Sequence, residues 1–184
     1  MTDYTLFGSY TPGGGPDGDT SAVNLGIYFY STDPGNVIGV RFYKSTDNTG
    51  THIGALWSTG GSKLAEVTFT GETASGWQQM LFSPSYAVTP NTTYVISYHT
   101  DVGRYYKNAG WWSSDYTSGP LVSPSTGIGF GNGVYAYSSS VVIPSNATGA
   151  FYWVDVLFST GSSGNLLNPQ RLDGLGGPYF RGLE

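Results

Sequence analysis

The sequence predicts an all-β protein: a two-sheet antiparallel β-sandwich, jelly-roll-like. Three observations lead there. Apolar residues recur with period two along most of the chain. Turn-forming residues punctuate these runs at short intervals. No stretch carries apolar residues at helical spacing. Alternation places one face of a strand on a core, and many short strands between turn signals build a sandwich or barrel. In Val23–Tyr30, Val23, Leu25, Ile27 and Phe29 alternate with Asn24, Gly26, Tyr28 and Tyr30. In Val37–Tyr43, Ile38, Val40 and Phe42 oppose Val37, Gly39, Arg41 and Tyr43. Strands follow at His52–Ser58, Lys63–Thr70, Trp77–Phe82, Thr93–His99 and Phe151–Ser159. Shorter candidates are Tyr4–Phe7, Leu121–Ser123, Gly127–Phe130, Val134–Tyr137 and Val141–Ile143. Asp33-Pro34-Gly35-Asn36, Thr59-Gly60-Gly61-Ser62 and Pro90-Asn91 supply the positive or fixed φ that tight turns need.

Composition narrows the function. At 184 residues the chain suits one principal domain, read as a sandwich over 1–160 followed by a Gly-rich arm over 161–184. Charged residues are 10% of the chain, against about 25% in an average soluble protein. Hydrophobic residues at 39% and aromatics at 16% are enough for a packed core. The net charge of −5, with seven Lys and Arg, lacks the basic footprint of a nucleic-acid binder. No apolar run reaches the ~20 residues of a membrane-spanning helix. With no cysteine, disulfides and thiolate metal sites are excluded.

Catalytic signals are weak. His52 and His99 each sit at a strand end, where an imidazole commonly hydrogen-bonds a loop backbone. No Gly-x-Ser-x-Gly elbow accompanies them. Nothing pairs two of the scattered acids at the ~5–10 Å that glycoside hydrolysis requires. Gly129-Phe130-Gly131-Asn132-Gly133 lacks dinucleotide-loop spacing and reads as a turn. The expectation is a protein that is not an enzyme. Asp155 stands out because it interrupts the apolar run Phe151–Phe158. A buried carboxylate must be paired, hydrogen-bonded or bound to a cation. Arg41, which interrupts an apolar strand of its own, is the expected partner; the alternative is structural calcium held by Asp17, Asp19 and Asp155.

The binding candidate is the loop Thr100–Gly119, where aromatics interleave with polar groups: Arg104, Tyr105, Tyr106, Trp111, Trp112 and Tyr116. A flat ring stacks on the C–H face of a sugar while polar neighbours take its hydroxyls. The same composition suits adaptable protein contact. The opposing expectation is that these rings fold back to cap one end of the sandwich. On a strand, Trp111 and Trp112 would point to opposite faces. Trp57, Trp77 and Trp153 read as core. In the Gly-rich tail, Leu166, Leu167, Leu172, Leu175, Tyr179 and Phe180 are expected to anchor an assembly arm on a neighbouring subunit, with the Gly8–Ala22 loop as a second contact.

A run of motifs extends these readings: Val37-Ile38-Gly39-Val40-Arg41-Phe42-Tyr43-Lys44, Asn48-Thr49-Gly50-Thr51-His52-Ile53-Gly54, Leu56-Trp57 and Leu64-Ala65. It continues with Ala74-Ser75-Gly76-Trp77-Gln78-Gln79, Pro90-Asn91-Thr92-Thr93-Tyr94-Val95, Ser97-Tyr98-His99 and Tyr152-Trp153-Val154-Asp155-Val156. Over roughly Val23–Ser159 this resembles the domain-of-unknown-function β-sandwich found beside fibronectin type III and carbohydrate-active modules in secreted bacterial proteins. The resemblance implies a non-catalytic module of surface or carbohydrate-related proteins, and brings no established ligand. Met1–Thr20 shows neither the basic nor the apolar region of a signal peptide. The expectation is therefore a bacteriophage virion protein (a minor tail, fibre or capsid-decoration subunit) at the virion surface. Its partners would be other virion subunits, copies of itself, or host-surface polysaccharide. The alternative is a carbohydrate-binding module of a secreted bacterial glycan-active enzyme.

Overall fold

A computed structural model describes residues 2–125 and 131–161. The described residues form twelve β-strands and no helix: β1 (Thr2–Tyr4), β2 (Val23–Ser31), β3 (Gly35–Lys44), β4 (Ile53–Ser58), β5 (Lys63–Thr68), β6 (Gly76–Val88), β7 (Tyr94–Thr100), β8 (Tyr116–Ser118), β9 (Leu121–Ser123), β10 (Gly133–Tyr137), β11 (Asn146–Thr148) and β12 (Val154–Thr160). The smaller sheet runs β1-β12-β3-β6, and the larger runs β11-β10-β2-β7-β4-β5. All pairings are antiparallel. Set aside β8–β11 and count β12 as the eighth strand. The orders become 1-8-3-6 and 2-7-4-5, the two-sheet arrangement of an eight-stranded jelly roll. Everything between β7 and β12 is then one long excursion from that framework.

Alternation places most of the core as the sequence implies, but a register shift between Val37 and Gly39 puts Val37 in the core in place of the expected Ile38. Leu25, Ile27 and Phe29 of β2, Val40 and Phe42 of β3, Ile96 and Tyr98 of β7, and Val154, Val156 and Phe158 of β12 meet between the sheets. Phe42 stacks on Tyr98 at 4.3 Å between ring centroids. Trp57 and Trp153 are buried as expected, whereas Trp77 is only half-buried and packs against the core from outside. The sheets close tightly at Gly54, where an added Cβ would lie 2.2 Å from Val40 Cγ1.

Some boundaries differ from the sequence reading. The first strand lies at Thr2–Tyr4 rather than Tyr4–Phe7, because Leu6 and Phe7 donate their N–H groups to Asp155 instead of to a ladder. β6 continues past Phe82 to Val88 through a cis Ser83–Pro84 bond. Val141–Ile143 is not a strand. It covers the outer face of the larger sheet, where Val141 and Ile143 pack on Tyr28, Ala55, Trp57, Val95 and Val134. Asn24 holds this cover, donating to Ser140 O at 3.0 Å and accepting from Val142 N at 3.2 Å. That second cluster explains why β2 and β7 are buried on both faces. The expected strand Gly127–Phe130 lies outside the described residues.

Candidate functional site

An ion pair joins β3 to β12 on the face of the smaller sheet turned away from the inter-sheet core. Antiparallel register sets Asp155 opposite Arg41. Arg41 donates to Asp155 Oδ2 from Nε at 3.0 Å and from NH2 at 2.6 Å. The N–H of Leu6 reaches Oδ1 at 2.9 Å and that of Phe7 reaches Oδ2 at 3.1 Å. Arg41 also donates to Gly8 O at 2.8 Å and lies with Cζ 4.0 Å from the Trp77 ring centroid. Asp155 is fully buried. Burial raises its carboxyl above the ordinary value, and the adjacent guanidinium opposes that rise. The expected Asp155–Arg41 pairing is therefore present. The calcium alternative is not assembled. Asp17 pairs with Lys107 at 2.8 Å, Asp19 accepts from two phenols, and Asp155 is enclosed by its own donors. Among the described residues, no three acids or histidines gather as a metal-ligand group.

Both histidines are buried, and their partners are side chains rather than loop backbone. His52 meets Glu72 Oε1 through Nδ1 at 2.8 Å and Asn48 through Nε2 at 2.9 Å. Lys44 closes on Glu72 at 2.8 Å. Burial pushes the His52 imidazole below its ordinary value, against the pull of Glu72. Glu72 Oε1 faces Nδ1 and Asn48 Oδ1 faces Nε2, so both ring nitrogens meet acceptor oxygens, and Asn48 Oδ1 also accepts from Thr100 Oγ1 at 2.6 Å. His99 Nε2 meets Asp101 Oδ1 at 3.0 Å.

The aromatic loop folds back more than it projects. Trp111 and Trp112 do not lie on a strand, so strand alternation does not separate them. Both rings turn onto Phe151, with centroids at 5.3 and 5.4 Å. Trp112 is buried and donates its indole N–H to Ala150 O at 3.0 Å. Tyr105 is also buried. Arg104, Tyr106, Trp111 and Tyr116 remain half-buried. Tyr106 stands edge-on to Tyr43, and Tyr116 to Tyr10. Trp77 and Trp111 flank Trp153. The result is a half-exposed aromatic patch on one flank of the sandwich. The Gly8–Ala22 loop is bonded to the start of the aromatic loop. Asp17 N donates to Tyr105 O at 2.7 Å, and Arg104 N to Asp19 O at 2.8 Å. At Gly103 (φ +63°) an added Cβ would sit 2.5 Å from Asp19 O, so this approach requires glycine. The arm anchors Leu166, Leu167, Leu172, Leu175, Tyr179 and Phe180 lie outside the described residues.

The same loop forms one wall of a cleft of about 500 Å³. Its other walls come from β10, β11 and Ala150–Tyr152. Four tyrosines line it in an edge-to-face chain. Tyr137 meets Tyr135 at 5.7 Å, Tyr135 meets Tyr152 at 6.4 Å, and Tyr152 meets Tyr105 at 5.7 Å. Asp19 links the chain's ends, accepting from Tyr137 Oη at 2.7 Å and Tyr105 Oη at 3.2 Å. Burial pulls the Asp19 carboxyl upward, but the Tyr137 phenol and Ser21 N–H outweigh it and leave the group below its ordinary value. The Lys107 ammonium likewise holds Asp17 low. Burial pushes the Tyr152 phenol up to about 12, so it stays protonated. Sequence reasoning missed Tyr135, Tyr137 and Tyr152. The available signal was Tyr135-Ala136-Tyr137, two rings at strand spacing on one face.

The molecule is thus a jelly-roll β-sandwich whose single long excursion carries an aromatic patch and a tyrosine-lined cleft. The chain belongs to the family described as Domain of unknown function (DUF4082), whose model matches residues 9–154. The match takes in the whole excursion and stops where β12 begins. No curated protein matches the chain.

Proposed function

We propose that this protein works by contact and makes no bonds: it is a non-catalytic adhesion and assembly module. The observation that carries the reading is the excursion between β7 and β12. Its rings are locked by mutual packing and by hydrogen bonds, so an aromatic patch and an open cleft are formed before any partner arrives. Preorganised rings lose little entropy on contact, which suits recognition of a repetitive surface. The proposed setting is a bacteriophage virion, where the chain serves as a minor tail, fibre or capsid-decoration subunit. There the patch around Tyr43, Trp77, Tyr106 and Trp111 meets a neighbouring subunit, and the cleft faces the host surface. A second setting, a carbohydrate-binding module of a secreted bacterial glycan-active enzyme, is favoured by the same cleft.

Light scattering of the full chain after size exclusion, with antibody labelling of particles from its source under the electron microscope, separates the settings. A defined oligomer and labelled particles are expected. A monomer that labels no particle would overturn the virion setting.

A further inference from the structure

We infer that the tyrosine cleft between β10 and the Arg104–Gly110 loop is a binding site for a neutral glycan. The inference rests on the adhesion reading above and names its ligand class. The volume, about 500 Å³, falls in the ~300–1,000 Å³ range of small-molecule clefts. Among the described residues its side chains are tyrosines, Lys107, Thr148 and small residues, with no Leu, Ile, Val, Phe or Met. A lipid or an apolar peptide anchor would find, among the described residues, phenol rings, glycine and alanine beside the polar Lys107 and Thr148. A pyranose fits that lining on both of its faces. Its C–H face stacks on an aromatic ring, and its hydroxyls need donors and acceptors at the ring edge.

Both requirements are met at one place. Tyr137 is 57% exposed, yet its ring is fixed by Tyr135 and by the bond to Asp19. An exposed aromatic held at both ends is a stacking platform already in place. Beside it, Lys107 lines the cleft with its ammonium 2.8 Å from the Asp17 carboxylate, and both groups reach solvent. An ammonium carries three N–H donors, so Lys107 keeps its bond to Asp17 and donates to a sugar hydroxyl in the cleft. Thr148 adds a hydroxyl from the opposite wall. The charge at the site selects against acidic sugars. Lys107 is already neutralised by Asp17, Asp19 adds a further negative charge nearby, and the chain as a whole carries −5.

The test is affinity electrophoresis of the full chain in gels containing galactomannan, β-glucan or xylan, with polygalacturonate as the acidic arm. Titration of the responsive polysaccharide's oligosaccharide against labelled protein, followed by amide NMR, accompanies it. Retention on at least one neutral polysaccharide is expected, with shifts at Gly110, Tyr137 and Gly149. Tyr137→Ala should weaken binding about tenfold or more. Lys107→Gln provides a second, surface-exposed variant whose fold is not in question. Tyr10→Ala removes an equally exposed ring outside the cleft and should leave retention unchanged. Retention that survives both Tyr137→Ala and Lys107→Gln would overturn the cleft assignment while leaving adhesion intact. Retention on polygalacturonate alone would overturn the neutral class. No retention on any gel would overturn the glycan reading and the cleft with it.

Discussion

Asp155 joins three segments that are far apart in sequence. Its carboxylate accepts from Arg41 on β3 and from the backbone of Leu6 and Phe7, and Phe7 in turn packs on Phe151 at 4.2 Å. Asp155→Ala leaves a buried guanidinium and two backbone N–H groups without an acceptor. The expected loss is ~3–5 kcal/mol in urea unfolding, with Asp155→Asn losing less because it keeps one acceptor oxygen. Equal losses for the two variants would mean that the charge alone matters. His52 gives a pH signature. Its folded value is depressed by burial, so the unfolded chain takes up the proton first as pH falls. Stability is complete above the ordinary histidine value of ~6.5 and declines as pH drops below it. Glu72, Lys44 and His99 face this ring and set the depth of the decline. The melting temperature should fall between about pH 6.5 and 5, and His52→Gln should flatten that slope. An unchanged slope would place the titration elsewhere. Asp155 was legible because a charge inside an apolar run demands a partner. The tyrosines of the cleft were not, because a half-exposed ring on a short strand carries the same letters whether it caps a core or meets a ligand.

At the scale of elements, the jelly-roll strands after β1 were readable, as were β9 and β10, expected at Leu121–Ser123 and Val134–Tyr137, but the rest of the excursion was not. The framework strands alternate because one face of each packs between the sheets, and β2, β3, β4, β7 and β12 fall within a few residues of their expected bounds. Between β7 and β12 the strands are only three to five residues long, and side-chain bonds supplement their short ladders. Asn132 bonds Ser123, Asp115 accepts from Ser125 N at 2.7 Å, and Asn108 and Phe151 form an isolated bridge. Such contacts leave no periodicity to read. Val141–Ile143 shows the opposite error: alternation arose from packing on a sheet face without a ladder. The closeness of the two sheets makes its own prediction. Gly54 on β4 faces Val40 on β3, and Phe69 lies 3.1 Å from the position of an added Cβ. Gly54→Ala should cost ~1–3 kcal/mol by overpacking. Val40→Ala in the same chain should recover part of that loss, because it removes the methyl that the new Cβ strikes. Additive losses in the double variant would show that the contact is not shared.

For the whole molecule, one cleft with an open lining offers modest affinity, and adhesion to a surface needs several copies acting together. Two or more linked sites can raise avidity 10²–10⁴-fold without any new contact, provided geometry lets them engage at once. The proposed source of linkage is the segment after β12. Leu166, Leu167, Leu172, Leu175, Tyr179 and Phe180 give that segment the apolar anchors an assembly arm requires. Among the described residues β12 runs to Thr160, and its ladders with β1 and β3 reach Thr160 and Ser159. A chain ending at Gly161 keeps every described strand of both sheets and should hold the melting temperature of the full chain within about a degree. It should nevertheless elute as a monomer where the full chain elutes as an oligomer. Its retention on a responsive polysaccharide should drop at least tenfold, while the affinity for a short oligosaccharide measured in solution stays the same. The two readouts answer separate questions. A loss on both would mean that the segment contributes to the cleft itself. A full chain that is monomeric from the start would remove the arm as the device that multiplies the sites, and the single cleft would have to carry adhesion alone.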